Sequence, residues 1–417
     1  MKTYDVIVAG GGMAGVGAAF SLAKLGKKVL LVEKYGCLGG AACHNLVNPF
    51  MKYWRVLDGE KDILNAGIFA EIVGELDKKN ALKQNGMLFH EEYLKCILDQ
   101  MAKRYGVEVL FHTQVVGAKA QDGKVESIQI CNKEGVSEIK ANGYIDCTGD
   151  GDLCTQAGFA YEVGDSEGNC QPMTLCFNLG GVPYGDRHYV EVRKEVKELY
   201  KEWQAQGKIK NPREDVLIFH SILPNTLHFN STRIIKKSPL KAEDITQAEM
   251  EAREQMLELV EFLKENFELF KESYLINSAP VIGVRESRRI VGEYQMTAED
   301  ILTCKKFASG IARGNYPVDI HNPSGTGTVL QKLPADGYYT IPLEALIPKG
   351  AKNVLVAGRC ISTTHEAQAS IRIMPIVCCI GEGAGTAMAT ALDEGVEISK
   401  VDISKVQEKL SANGALY

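Results

Sequence analysis

The chain has no C-x-x-C pair among its 12 cysteines and no H-E-x-x-H, because His365-Glu366 runs on into Ala367, Gln368 and Ala369. Zinc knuckles and iron–sulfur runs are thereby excluded, and no metal is expected. There is no basic tract and the formal net charge is −6, so the electrostatic footprint of a nucleic-acid partner is missing. No run of about 18 apolar residues occurs, and no membrane span is expected. The strand-like run Tyr4-Asp5-Val6-Ile7-Val8-Ala9 begins so early that no leader is expected ahead of it. The expected compartment is the cytoplasm, with most thiols reduced and buried. Internal repeats and low-complexity segments are absent too. What remains is a 417-residue chain, 45% hydrophobic and 24% charged. That is ordinary globular composition, with more residues than one core usually serves.

The informative part comes first. The apolar run Val6-Ile7-Val8-Ala9 leads into Gly10-Gly11-Gly12-Met13-Ala14-Gly15, a helical pattern through Phe20, Leu22 and Leu25 follows, and Gly26 ends it. Val29-Leu30-Leu31-Val32 then reads as a parallel strand buried on both faces and closed by Glu33. A G-x-G-x-x-G between strand and helix, with an acid at the end of the next strand, is the dinucleotide pattern. Gly10 permits the tight turn, Gly12 lets backbone approach a pyrophosphate, and Gly15 lets helix and strand pack closely. Glu33 suits ribose hydroxyls and repels a 2′-phosphate. The fingerprint alone does not separate FAD from NAD. FAD is favoured because no second G-x-G-x-x-G follows a later strand, and because Gly358-Arg359 ends another buried strand, Val354-Leu355-Val356-Ala357, as if to complete the same site.

The expected fold is α/β: a Rossmann-like FAD-binding domain with a central parallel sheet, assembled from 1–50, 91–180 and 345–417, with an α+β substrate or cap domain from 51–90 and 181–344. Strands are predicted around 107–111, 115–130 (turning at Asp122-Gly123) and 144–147. Helices are predicted near 187–206, near 247–272 behind a capping box at Thr246-x-x-Glu249, from Thr297 by a similar signature, and over 375–391.

Together, Gly10–Gly15, Glu33-Lys34-Tyr35-Gly36-Cys37-Leu38-Gly39-Gly40, Ile145–Asp152, Arg285–Gly292 and Val354–Arg359 resemble the FAD-dependent oxidoreductase family of mainly bacterial proteins, within the glutathione-reductase-like flavoprotein superfamily. The resemblance implies that Ala14, Lys34, Gly39 and Gly40 belong to the cofactor site with the fingerprint glycines. It implies that Val115 (or Val116) meets the adenine and that Gly149 and Asp150 close the adenosine half. It also implies that Ile373 and Met374, within Ser370–Pro375, bring a helix N-terminus to the flavin C2 carbonyl. A helix dipole there favours the negative charge of reduced flavin.

The candidates for chemistry beside the flavin are Arg285, Glu286, Arg288, Arg289, His321, His365, Glu366 and Arg372, with His321, His365, Arg288 and Arg372 expected as catalytic. If Arg285–Arg289 is a strand, alternation puts Arg285 and Arg289 on one face, opposite Glu286 and Arg288. That pattern suits either a clamp for an anionic substrate or a salt bridge with Glu286. Cys37 has no partner at C-x-x-C or C-x₄-C spacing, so packing or phosphate-loop duty is expected. Packing is likewise expected of Cys43 and His44, with a covalent flavin bond as the alternative. The expected activity is hydride transfer between flavin N5 and a small polar organic substrate, anionic if the arginines form a clamp, with an unnamed electron donor or acceptor. The alternatives are an oxidase that returns electrons to oxygen and a binding protein that does no redox work.

Overall fold

The protein is described by a computed structural model over residues 3–323, 325 and 327–417. Its centre is a five-stranded, all-parallel sheet of β1 (Tyr4–Ala9), β2 (Val29–Val32), β3 (Glu108–Leu110), β4 (Ala141–Asp146) and β5 (Val354–Val356). The spatial order is β5-β4-β1-β2-β3. The apolar runs of β1, β2 and β5 are buried on both faces, as a sheet covered on each side requires. Helix α1 (Met13–Lys24) leaves the fingerprint turn and packs against α2 (Met374–Glu394). The two backbones meet closely: a Cβ on Gly381 would lie 1.9 Å from the Ala14 carbonyl oxygen. This contact fixes the N-terminus of α2 beside that of α1. Among the described residues α2 is the one helix long and apolar enough to cross a membrane, and 94% of its apolar window is buried.

Residues Gln114–Gln121, Lys124–Asn132 and Gly135–Ile139 form an antiparallel meander, turning at Asp122-Gly123 as expected. A separate antiparallel sheet is ordered Ile218–His220, Leu227–Phe229, Phe177–Gly180, Tyr274–Ser278. With the helices Tyr189–Ala205 and Ala242–Asn266 it encloses a second apolar cluster that includes Phe177, Tyr200, Phe229, Phe262 and Phe270.

The apolar contacts fall into two clusters. Tyr53, Phe69 and Phe89, and likewise Ile311, Tyr339 and Ile341, join the large cluster around the parallel sheet. The second cluster draws on Leu46 and on residues between Met173 and Ile282. Thr246 does not cap its helix, which already starts at Ala242; its hydroxyl donates back to the Ala242 carbonyl oxygen at 2.8 Å. Thr297 does cap, in a complete box with Asp300, although that helix is short, Ala298–Leu302. The run 285–289 is not one strand. Only Arg288–Ile290 pairs, and the turn before it brings Glu286 and Arg289 together, so the alternation expected for these side chains does not hold.

Glu382 of α2 is 1% exposed, and its carboxylate accepts the Ile68 amide at 2.9 Å where the helix Ile68–Lys78 begins. Burial pushes this carboxyl from 4.5 up to about 7. The unfolded chain therefore releases this proton at lower pH than the folded chain does. Stability from this group is present below the unfolded value and falls as pH rises toward 7, by about 3 kcal/mol. Glu382→Gln removes the titration. Melts between pH 4 and 8 are expected to show the wild type losing ground to the variant through that window, whereas a constant difference would contradict the assignment.

Candidate cofactor and substrate site

A single cavity of about 400 Å³ runs from the fingerprint turn to the edge of the second sheet. At its nucleotide end the three glycines differ in what they permit. Gly10 has φ +97°, and a Cβ there would lie 2.4 Å from the Cys147 carbonyl oxygen; a Cβ on Gly15 would lie 1.8 Å from that of Gly10. Both are demanded by the fold. Gly12 is not. It has an extended conformation (φ −67°, ψ −177°), and the nearest atom to an added Cβ is 3.8 Å away, on Gly40. The protein has room for a side chain at Gly12, and that room belongs to the cavity, at the N-terminus of α1. This is the cradle a pyrophosphate needs.

Glu33, buried at the end of β2, is held by two amides: Gly11 N–H donates to Oε2 at 2.6 Å and Tyr35 N–H to Oε1 at 2.8 Å. Lys34 and Val115 line the same end, and Val116 does not. Gly40 and Ala14 line the wall. Gly39 stands behind it, with its N–H bonded to the Gly11 carbonyl oxygen at 2.9 Å. Gly149, Asp150, Gly358 and Arg359 close the opposite side. Burial would raise the Asp150 carboxyl, but the Arg359 guanidinium at 2.6 Å and the Ser287 hydroxyl at 2.6 Å hold it below its usual range. Ile373 and Met374 bring the N-terminus of α2 to the cavity, with Arg372 beside them. These residues fit FAD: two helix N-termini, an acid fixed at a strand end and a glycine spared for a ligand.

The far end is a polar chamber. Arg372 and His321 are on it, as expected, together with Arg213, Arg285, Tyr316 and Asp319. Burial, and then the guanidiniums of Arg285, Arg372 and Arg213, push the His321 imidazole well below its ordinary value, so it is neutral. Its Nδ1 lies 3.2 Å from the Thr328 hydroxyl and its Nε2 3.7 Å from Asp319 Oδ2. The Tyr316 hydroxyl donates to the same Asp319 oxygen at 3.2 Å. Burial, then Asp319, push that phenol up, so it keeps its proton.

Two expected participants are not brought to the cavity. His365 Nδ1 bonds Glu286 Oε1 at 2.8 Å, and Glu286 also pairs with Arg289 and accepts the Gln171 amide at 3.0 Å. Arg288 pairs with Asp152 at 2.8 Å and lies over the Tyr161 ring. Both side chains are engaged by these partners and neither lines the cavity. Arg213, Tyr316 and Asp319 were not anticipated. Arg213 comes from a loop about a hundred residues before Tyr316 and Asp319, which flank and enter the short strand Val318–His321, and no periodic pattern marks them.

Cys37 has the partner its spacing did not disclose. Cys43, five intervening residues on, and His44 both reach it, with His44 Nε2 at 3.7 Å from the thiol. The hydrogen bond from Cys43 pulls the Cys37 thiol down to about 5; burial opposes this and His44 assists. Cys37 is half-buried, so alkylation near pH 6.5 is expected to label it before the exposed Cys96. Peptide mapping checks this, and Cys96 reacting first would contradict it. Cys43 is buried and off the cavity wall, while His44 lines it. Among the described residues no three His, Cys, Asp or Glu side chains converge as a metal site.

Fold and cradle together define a Rossmann-type FAD-binding enzyme. A family model described as FAD dependent oxidoreductase matches residues 5–410, and the chain belongs to that family; its cofactor is FAD. A digeranylgeranylglycerophospholipid reductase from Thermoplasma volcanium is 28% identical over 158 residues, 36% of this chain and 40% of that protein. One of the same name from Methanospirillum hungatei is 30% identical over 153 residues, 34% of this chain and 37% of that protein. The matched segment thus spans about two fifths of these relatives' length. A solved structure of a geranylgeranyl bacteriochlorophyll reductase-like protein from Thermoplasma acidophilum aligns at a TM-score of 0.50 and 13% identity. That alignment covers 99% of this chain and 83% of that one, a likeness of fold. These relatives are archaeal, so the bacterial leaning of the sequence resemblance gains no support from them.

Proposed function

We propose that the protein is a dehydrogenase or reductase that moves a hydride between flavin N5 and a small polar organic substrate, with a separate electron donor or acceptor. The observation that carries this reading is the continuity of the cavity: the cradle at Gly12 opens without a wall into a chamber lined by Tyr316, Asp319, His321 and Arg372. When bound, FAD supplies two-electron redox chemistry at N5. The protein's residues orient the substrate and manage its proton. Arg372, at the N-terminus of α2, supports negative charge on that side of the chamber. Neutral His321 takes the substrate proton, with Asp319 close enough at 3.7 Å to stabilise the imidazolium that results. We extend the family assignment to the glutathione-reductase-like superfamily, supported by the order of the motifs along one sheet.

The test is anaerobic mixing of the flavoprotein with hydroxy acids, amines, sugars and enoates. One class is expected to bleach or reoxidise the flavin; silence from all of them, in protein that dithionite still reduces, would contradict the proposal. His321→Ala is expected to slow that step by about 10²-fold or more with flavin content unchanged. The wild-type rate should show no histidine-like inflection between pH 6 and 7, because burial holds the ring neutral below that range.

A further inference from the structure

The guanidiniums of the chamber are short of anions. Arg213 is 3% exposed, and its Nε and Nη1 have no hydrogen-bond partner among the described residues. Arg372 Nη1 is buried and unpartnered as well. Among the described residues Arg285 is bonded to neutral groups: the Pro172 carbonyl oxygen at 2.5 Å, the Thr174 hydroxyl and Asn230 Oδ1 at 3.2 Å. The carboxylate that acts most on Arg213, Glu214, is engaged at 2.9 Å by Arg233. Asp319 is the one carboxylate that lines this end of the cavity among the described residues, since Glu33, Asp150 and Asp152 belong to the nucleotide end.

Three guanidiniums against one carboxylate leave two positive charges unmatched in a buried space. An arginine cannot relieve such a site by losing its proton. Burial and mutual repulsion do lower the proton affinity of Arg285, with Arg213 and Arg372 as the repelling neighbours, so the three act on one region. They enter it from three separate parts of the chain. The wall also holds Cys176, Leu217, Phe219 and Val284, an apolar surface suited to a hydrocarbon spacer.

We propose that the chamber binds a small organic dianion, a dicarboxylate whose two charges are matched by Arg213, Arg285 and Arg372. This rests on the FAD-dependent reading above and names its substrate class. A dicarboxylate fits the arrangement better than a single phosphate does, because the cations stand on separate elements with apolar wall among them.

Purified holoprotein is titrated with succinate, butyrate, succinamide and inorganic phosphate, read by the flavin spectrum and independently by calorimetry. Succinate is expected to bind at least about tenfold more tightly than butyrate or phosphate, with succinamide weaker still. Arg213→Gln is expected to abolish that preference while keeping its flavin, and Arg213→Lys to restore part of it. Equal binding of succinate and butyrate, phosphate matching succinate, or a preference that survives in Arg213→Gln would each overturn the proposal. If the chain takes up no FAD, the underlying reading fails. If it holds reducible FAD and shows no dianion preference by calorimetry, this inference alone fails.

Discussion

Gly12→Asp is expected to give a folded protein that has lost its flavin. The added Cβ meets no described protein atom closer than Gly40 Cα at 3.8 Å. Aspartate is moreover a favourable residue at a helix N-cap, where its carboxylate accepts the orphan amides of the first turn. The apo chain should therefore melt within a few degrees of the wild-type apo chain, or above it. The same carboxylate fills the cavity and puts negative charge where a pyrophosphate must lie. FAD affinity is expected to fall at least about 100-fold, or about 3 kcal/mol. Titration of both apo chains with FAD, beside their melting curves, checks the two halves of the prediction. Gly15→Ala is the contrast: its Cβ would lie 1.8 Å from the Gly10 carbonyl oxygen, so the fold itself should suffer. Flavin retained by Gly12→Asp at wild-type affinity would remove the pyrophosphate from that turn.

Glu286→Gln should cost about 3 kcal/mol of stability, the second large effect. The carboxylate is 0% exposed and holds three groups: the Arg289 guanidinium, His365 Nδ1 and the Gln171 amide. Arg289 is itself 4% exposed and keeps beyond Glu286 the half-exposed Glu162 carboxylate at 3.6 Å, so removal of its buried partner leaves the charge poorly compensated, and such losses run to about 3–5 kcal/mol. A glutamine keeps the shape and an acceptor for the amide but not the charge. Pairing it with Arg289→Met should recover much of the loss, because an apolar replacement of both partners is often neutral. Urea midpoints of the single and double variants measure this. A loss under about 1 kcal/mol in Glu286→Gln would show that Arg289 finds compensation elsewhere. Because Arg285 directly precedes Glu286, the single variant should also weaken substrate binding.

The nucleotide half of the site was legible because its chemistry is local. A strand, three glycines, a helix and an acid follow one another between Tyr4 and Glu33, and each has a role set by backbone geometry alone. The box at Thr297 was legible for the same reason, since both partners sit within one turn. Thr246-x-x-Glu249 carries the same letters but failed, because Glu243 and Asp244 already supply a favourable first turn and the helix starts earlier. The arginine-rich run at 285–289 misled in another way. Alternation assumes an unbroken strand, and the turn at Glu286 puts that carboxylate on the same side as Arg289. The substrate end was least legible. Tyr316, Asp319 and His321 are neighbours in sequence, but Arg213, Arg285 and Arg372 join them only in the folded chain, and their spacing has no period to detect. Cys37 and Cys43 fell between known motif spacings, although they lie in one short turn.

The most direct measurement is the cofactor content of the purified chain and its uptake by the apo form. One FAD per chain, released by denaturation and therefore non-covalent, restored by added FAD and not by FMN or NAD, is the result the account predicts. A folded chain that takes up no FAD, or binds NAD in its place at the Gly12 turn, would contradict it.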